Sequence, residues 1–248
     1  MIEVQNITKK FRDRKKSTTA VDHVSFHVDK GRIVGLVGEN GAGKTTILRS
    51  IATLITQDEG KITVAGYDNK TQAEEVKSHI GVLFGGETGL YDRLTARENL
   101  LYFGGLYGLP KHTLKKRIDD LSLRFGMRKE LDRTVGGFSR GMRQKVAIAR
   151  AVIHDPAVVL FDEPTTGLDI TSANVFRDFT RQLQQEGKTI IFSSHIMDEV
   201  ESLSDDLILM HQGQLLYAGT AEALYAKEGT NDLNYIFMSN IVRGDMYV

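Results

Sequence analysis

The chain of 248 residues contains no cysteine and no tryptophan, and only three prolines. Without cysteine there is no disulfide scaffold, no thiol nucleophile and no Cys-ligated zinc. A reducing compartment fits this composition. Long apolar runs are missing too: the longest, near Val158 and Ile190, reach about five residues, whereas a spanning helix needs ~20. The chain is expected not to cross a membrane by itself. Nor does the N-terminal stretch Met1–Ile7 show a basic segment followed by an apolar one, so no signal peptide is expected. Charge of one sign is also lacking, since 32 Lys+Arg balance 32 Asp+Glu. Bulk charge therefore gives no reason to expect a nucleic-acid partner. What remains is 41% hydrophobic and 26% charged, enough to build a sizeable core.

Short apolar runs recur along the chain. Ile2–Ile7 and Val24–Val28 alternate like half-buried strands, with a basic loop expected from Lys9 to Lys16. Arg32–Val37, Ile80–Phe84, Val158–Phe161 and Thr189–Phe192 suit strands covered on both faces. Between them lie helical spacings. Ile47, Leu48, Ile51, Leu54 and Ile55 share a face, as do Val146, Ala149 and Ile153, with Arg150 at the edge. Strands alternating with helices predict an α/β fold with a largely parallel sheet. Ala96–Tyr107, His112–Phe125 and Gly141–His154 are helix-like and have no strand among them. They predict a helical subdomain, about 87–155, inserted in a core of about 1–86 and 156–220. Its basic stretch from Lys111 to Arg133 reads as a solvated helix face. Residues 221–248 form a short mixed tail that gives no signal.

Gly38-Glu39-Asn40-Gly41-Ala42-Gly43-Lys44-Thr45 matches G-x-x-x-x-G-K-[ST], with an apolar strand before it and an amphipathic helix after it. Glycines let the backbone wrap phosphate oxygens, and the helix start adds positive field. Lys44 is placed to reach the β- and γ-phosphates and Thr45 to hold Mg²⁺, with Thr46 completing the loop. Asp162 ends an apolar strand and is the expected second Mg²⁺ partner; Glu163, one residue on, can polarise the attacking water.

The order of these motifs, with Phe138-Ser139-Arg140-Gly141-Met142-Arg143-Gln144 before the Asp162-Glu163 strand, resembles the ATP-binding subunit of ABC transporters over about residues 1–220. The resemblance implies a P-loop NTPase core, with a mostly parallel sheet and an antiparallel β portion, and an inserted helical subdomain within a single ATP-binding domain. Against the family's usual Leu-Ser-Gly-Gly-Gln signature, Ser139 and Gly141 match while Phe138, Arg140 and Met142 depart. Arg140 either adds charge at a γ-phosphate or faces solvent. Gly167-Leu168-Asp169 resembles the D-loop, and His195, after Ser193-Ser194, resembles the switch histidine that contacts the γ-phosphate. Phe11 stands where the family stacks an aromatic on adenine. After the strand Ile80–Phe84 the family's glutamine is absent, and Glu87 is the candidate substitute.

Each motif occurs once. The resemblance therefore implies a homodimer, in which ATP on 38–46 of one copy is covered by Ser139–Met142 of the other. It also implies separate membrane-spanning permease subunits, docked near Glu87–Leu109 on Leu90, Tyr91, Leu94 and Tyr107, and a peripheral place on the cytoplasmic face of the membrane. Within the family the runs 84–99 and 138–149 look most like the ATPase of sodium-efflux (Nat-type) exporters. The alternatives are export of another cargo, such as a drug or peptide, and a non-transport ABC-type ATPase in translation or DNA maintenance. A small-molecule kinase would leave Ser139, Gly141 and His195 without a role.

Overall fold

The computed structural model describes residues 1–13, 16–84 and 89–245; of residues 13, 16 and 242–245 it describes the backbone alone. Strands β1 (Ile2–Asp13) and β2 (Lys16–Val28) form an antiparallel hairpin. The described part of the basic stretch expected as a loop, Lys9 to Asp13 and Lys16, is thus strand. Lys9 pairs with Val21 and Phe11 with Thr18. At this end of the hairpin Lys10, Phe11 and Arg12 are all exposed, so no period-two pattern of burial is imposed on the sequence.

β3 (Ile33–Gly38) leads into α1 (Lys44–Ile51), followed by β4 (Glu59–Val64), β5 (Tyr67–Asp68), α2 (Ala73–His79) and β6 (Ile80–Leu83). Three helices come next: α3 (Ala96–Leu106), α4 (Lys111–Arg124) and α5 (Arg140–Val152). Then follow β7 (Val158–Asp162), α6 (Ile170–Gln185), β8 (Thr189–Ser194), α7 (Met197–Leu203), β9 (Asp206–His211) and β10 (Gln214–Thr220). The chain continues through α8 (Ala221–Glu228) and α9 (Leu233–Asp245). α1 is shorter than its apolar spacing suggested: Thr53 turns to φ 61 and Leu54 is left 58% exposed.

Two sheets result. One has four strands in the order β2-β1-β4-β5; the other has six in the order β10-β9-β3-β8-β7-β6, parallel except for β10. The parallel strands are covered on both faces, as their unbroken apolar runs require. Val34, Leu36, Val158 and Leu160 point into one core, which the four-stranded sheet and α1 close with Ile2, Val4, Ile47 and Leu48. Ile33, Val37, Val159 and Phe161 point into the other, closed by the helices. The segment beyond Thr220 belongs to that second core: Leu224, Leu233, Ile236 and Phe237 are buried in it, and Glu201 accepts a hydrogen bond from the Leu233 amide.

Candidate active site

β3, β8 and β7 are neighbours in the sheet, and their C-terminal ends bring three loops together. Such an edge of a parallel sheet is where α/β folds bind ligands. The first loop runs from Gly38, the end of β3, to Gly43, which precedes α1 at φ +99. A side chain at Gly43 would be strained there and would strike the Ala20 carbonyl of β2. Glu39, Asn40 and Gly41 are exposed, Ala42 is buried, and Thr46 is half-buried. Lys44 is 5% exposed and curls back over the loop, its Nζ donating to the carbonyls of Gly38 at 2.5 Å and Glu39 at 3.0 Å. Burial pulls its pKa down, opposed by Glu163, Asp162 and Glu39. The ammonium is thereby held at the loop rather than in bulk water. α1 has no acidic residue in its first turn to oppose an anion there.

Asp162 closes β7 and is 5% exposed. Its two carboxylate oxygens face the Thr45 hydroxyl at 3.1 and 2.9 Å, and Oδ1 accepts from Ser193 Oγ at 2.7 Å. Ser193 in turn accepts from the Glu163 amide at 2.9 Å. At Glu163 the backbone swings to φ 48 and leaves the strand axis. Its Oε2 accepts from Thr166 Oγ1 at 3.1 Å, and Oε1 lies 3.7 Å from His195 Nδ1. His195 is exposed, just beyond β8. A cleft of about 960 Å³ opens in front of Thr45, Asp162 and Glu163, with Arg49, Phe84 and Arg143 on its walls.

Ser139 caps α5, its hydroxyl oxygen accepting from the Met142 amide at 3.3 Å. The hydroxyl proton remains available to a neighbour. Arg140 neither reaches out alone nor faces only solvent: its Nη2 donates to the Thr166 carbonyl at 2.6 Å. Gly141 approaches Ser172, and Met142 leans against the helical core. Asp169 caps α6 through the amide and hydroxyl of Ser172, which hold its carboxyl below the usual range. Phe11 is 44% exposed on β1 with the Lys9 ammonium 5.6 Å from its ring. Tyr91 and Tyr107 are exposed, whereas Leu90 and Leu94 are half-buried. Glu87 lies outside the described residues.

The sequence names Ser193 only as a neighbour of His195 and Gln144 only as the end of the run from Phe138, and it draws no attention to Thr166 or Glu199. Ser193 joins Asp162 to Glu163. Buried Glu199 accepts from Thr165 Oγ1 at 2.9 Å and Ser194 Oγ at 2.7 Å, linking the loop after β7 to the end of β8. Small hydroxyl residues at strand ends carry little signal in sequence; their role comes from adjacency of strands far apart in the chain.

The family model described as ABC transporter matches residues 21–166, a span that runs from β2 through the phosphate loop to Thr166. The chain belongs to the ABC transporter family. Across 244 residues, which are 98% of this chain and 99% of the relative, it is 62% identical to the ABC transporter ATP-binding protein NatA of Bacillus subtilis. It is 35% identical to the linearmycin resistance ATP-binding protein LnrL of the same organism, over 97% of this chain and 76% of that one. Among solved structures, an ATP-binding subunit of an ABC transporter superposes with a TM-score of 0.87 at 27% identity, covering 97% of this chain and 99% of that one. A bacterial cassette solved as a dimer superposes at 0.81 with 23% identity, covering 89% and 98%, and shares the fold. The chain is therefore an ATP-binding, ATP-hydrolysing cassette of an ABC transporter. No helix among the described residues of this cassette is long and apolar enough to cross a membrane.

Proposed function

We propose that this cassette powers export through separate membrane-spanning subunits, with Na⁺ as the cargo. The observation that carries the catalytic part is the continuous network Thr45–Asp162–Ser193–Glu163, which sets a hydroxyl, a buried carboxylate and a second carboxylate around one cleft. ATP lies along 38–46, its phosphates wrapped by the loop amides and met by Lys44, its adenine on the exposed ring of Phe11. Glu163 accepts the proton of the attacking water, and His195, beside Glu163, donates to the γ-phosphate.

The donors Thr45 and Asp162 are hard oxygens, the type Mg²⁺ takes. Among the described residues no group of three His, Cys, Asp or Glu could hold a metal. Mg²⁺ would thus be held by Thr45 and Asp162 together with phosphate oxygens, and when bound it would neutralise charge on the β- and γ-phosphates.

One copy supplies half of each site. Two copies pair head to tail, so that Ser139, Gly141 and Met142 of one cover the nucleotide of the other, Arg140 staying turned onto its own chain's Thr166 carbonyl, and Asp169 lies at the seam. The permeases meet the stretch 87–109, where Glu87 stands in for the family's glutamine and Tyr91 and Tyr107 offer apolar anchors. The protein then sits peripherally on the cytoplasmic face of the membrane. Sodium rests on the resemblance of the runs 84–99 and 138–149 to the ATPase of sodium-efflux (Nat-type) exporters, with which the 62% identity to NatA agrees; a drug-like cargo is the second reading, favoured by the resemblance to LnrL. Inverted vesicles carrying the cassette and its permeases test the choice. ATP-dependent uptake of labelled Na⁺, lost in Glu163→Gln, supports sodium; uptake of a lipophilic cation with no Na⁺ movement supports the second reading.

A further inference from the structure

α5 reaches back into its own chain's catalytic loop. Arg140 Nη2 donates to the Thr166 carbonyl at 2.6 Å. Gln144, one turn later on the same helix face, donates from Nε2 to the Pro164 carbonyl at 2.6 Å. Thr166 then donates its hydroxyl to Glu163 Oε2 at 3.1 Å. The residue that Arg140 grips by its carbonyl is thus the one that holds the Glu163 carboxylate.

Gly167 makes the grip possible. It sits at φ +72, and a Cβ there would come within 2.5 Å of Arg140 Nη1. Glu163 meanwhile has φ 48, a strained backbone state for a non-glycine residue, which persists only when its surroundings enforce it. The contacts at Pro164 and Thr166, with that of Ser193, supply the enforcement.

We propose that Arg140 and Gln144 are positioning residues for Glu163, clamping the 164–167 segment so that the helix whose start would cover a partner's nucleotide also aims the carboxylate that serves this chain's own. The proposal rests on the assignment of Glu163 as the group that activates water. α5 is an unbroken helix of 13 residues, so a shift of its N-terminus on meeting a partner's phosphate carries Arg140 and Gln144 with it. The state of one nucleotide site is thereby passed to the other through two side chains and a loop.

The test is steady-state phosphate release by the full chain, with ATP affinity and nucleotide-driven dimerisation measured alongside. Arg140→Ala is expected to lower kcat on the order of 10- to 100-fold, since small misplacement of a catalytic group costs this much. KM and ATP affinity stay at the wild-type values, and in a Glu163→Gln background dimerisation with Mg²⁺–ATP is unchanged. Arg140→Lys, which keeps one donor, recovers part of the rate. Thr166→Val keeps the carbonyl and loses the hydroxyl. Combined with Arg140→Ala it is no slower than the slower single variant, because both break one chain of contacts.

Wild-type kcat in Arg140→Ala, or fully multiplicative losses in the double variant, overturns the clamp. Weakened dimerisation in Arg140→Ala/Glu163→Gln puts the guanidinium on the partner's phosphate instead and overturns it too. Glu163→Gln turning over like wild type removes the underlying assignment and the clamp together, whereas an inactive Glu163→Gln with a fully active Arg140→Ala removes the clamp alone.

Discussion

Lys44 and Glu163 show how much one side chain can depend on its surroundings. Lys44 curls onto the carbonyls of its own loop and is nearly inaccessible, which fixes its charge over the loop where the proposed phosphate contact would form. Replacing it with alanine removes that charge and the ammonium's hydrogen bond to the Gly38 carbonyl, while the Glu39 carbonyl keeps the Ala42 amide. Lys44→Ala is expected to weaken ATP binding at least about tenfold, the equivalent of about 1.4 kcal/mol; calorimetric titration checks this, and wild-type affinity would remove Lys44 from the site. Glu163 is different: in the role proposed for it, taking the proton of the attacking water, its carboxylate acts in the transition state rather than in binding. Glu163→Gln is expected to bind ATP normally and hydrolyse it at least about 100-fold more slowly, the range of general-base contributions. Both positions were legible from their motifs. Ser193 was not, because its value lies in bridging Asp162 on β7 to Glu163 from the neighbouring strand β8.

The helices hold their positions by contacts that differ in kind. At the end of α5, His154 lies flat against Tyr107 with ring centroids 3.6 Å apart, and its Nε2 lies 2.9 Å from the Ile80 carbonyl. Burial pulls its pKa down to about 4 from the ordinary 6.5. A base whose folded pKa is depressed stays neutral in the fold while the unfolded chain takes up a proton. The contact therefore stabilises fully above about pH 6.5 and loses that advantage as pH falls towards about 4, by at most about 3–4 kcal/mol. Urea unfolding at pH 7.5 and 5 should show this decline, and His154→Phe should reduce it; an unchanged slope with pH would exclude His154 as its source. α9 is held by apolar packing instead. Phe237 is 4% exposed among Leu224, Leu233 and Ile241, so Phe237→Ala should cost about 3–5 kcal/mol and lower the unfolding midpoint. Three helices between Ala96 and Val152 were anticipated from spacing within a few residues at each end. α8 and α9 were not, since their apolar residues pack against elements the chain alone does not reveal.

At the scale of the molecule, two cores flank one parallel sheet, and every group around the cleft hangs from that sheet's C-terminal edge or from α5. If ATP bridges two copies, its γ-phosphate gains donors from both only when they are closed, and this differential affinity drives association. Glu163→Gln saturated with Mg²⁺–ATP should sediment as a dimer, and wild type after hydrolysis as a monomer. A Glu163→Gln variant that stays monomeric at saturating nucleotide would contradict the shared site.

From its own sequence the chain specified an α/β fold, the phosphate loop and the two acids where β7 ends. Those signals are local, each carried by residues adjacent in the chain and by a period of burial that strands and helices impose. Only the tertiary structure decided that Lys9–Asp13 is strand, that α8 and α9 complete the helical core, and that Arg140 grips Thr166. Each of these depends on which distant segment lies alongside, and packing, unlike periodicity, leaves no regular mark on the sequence.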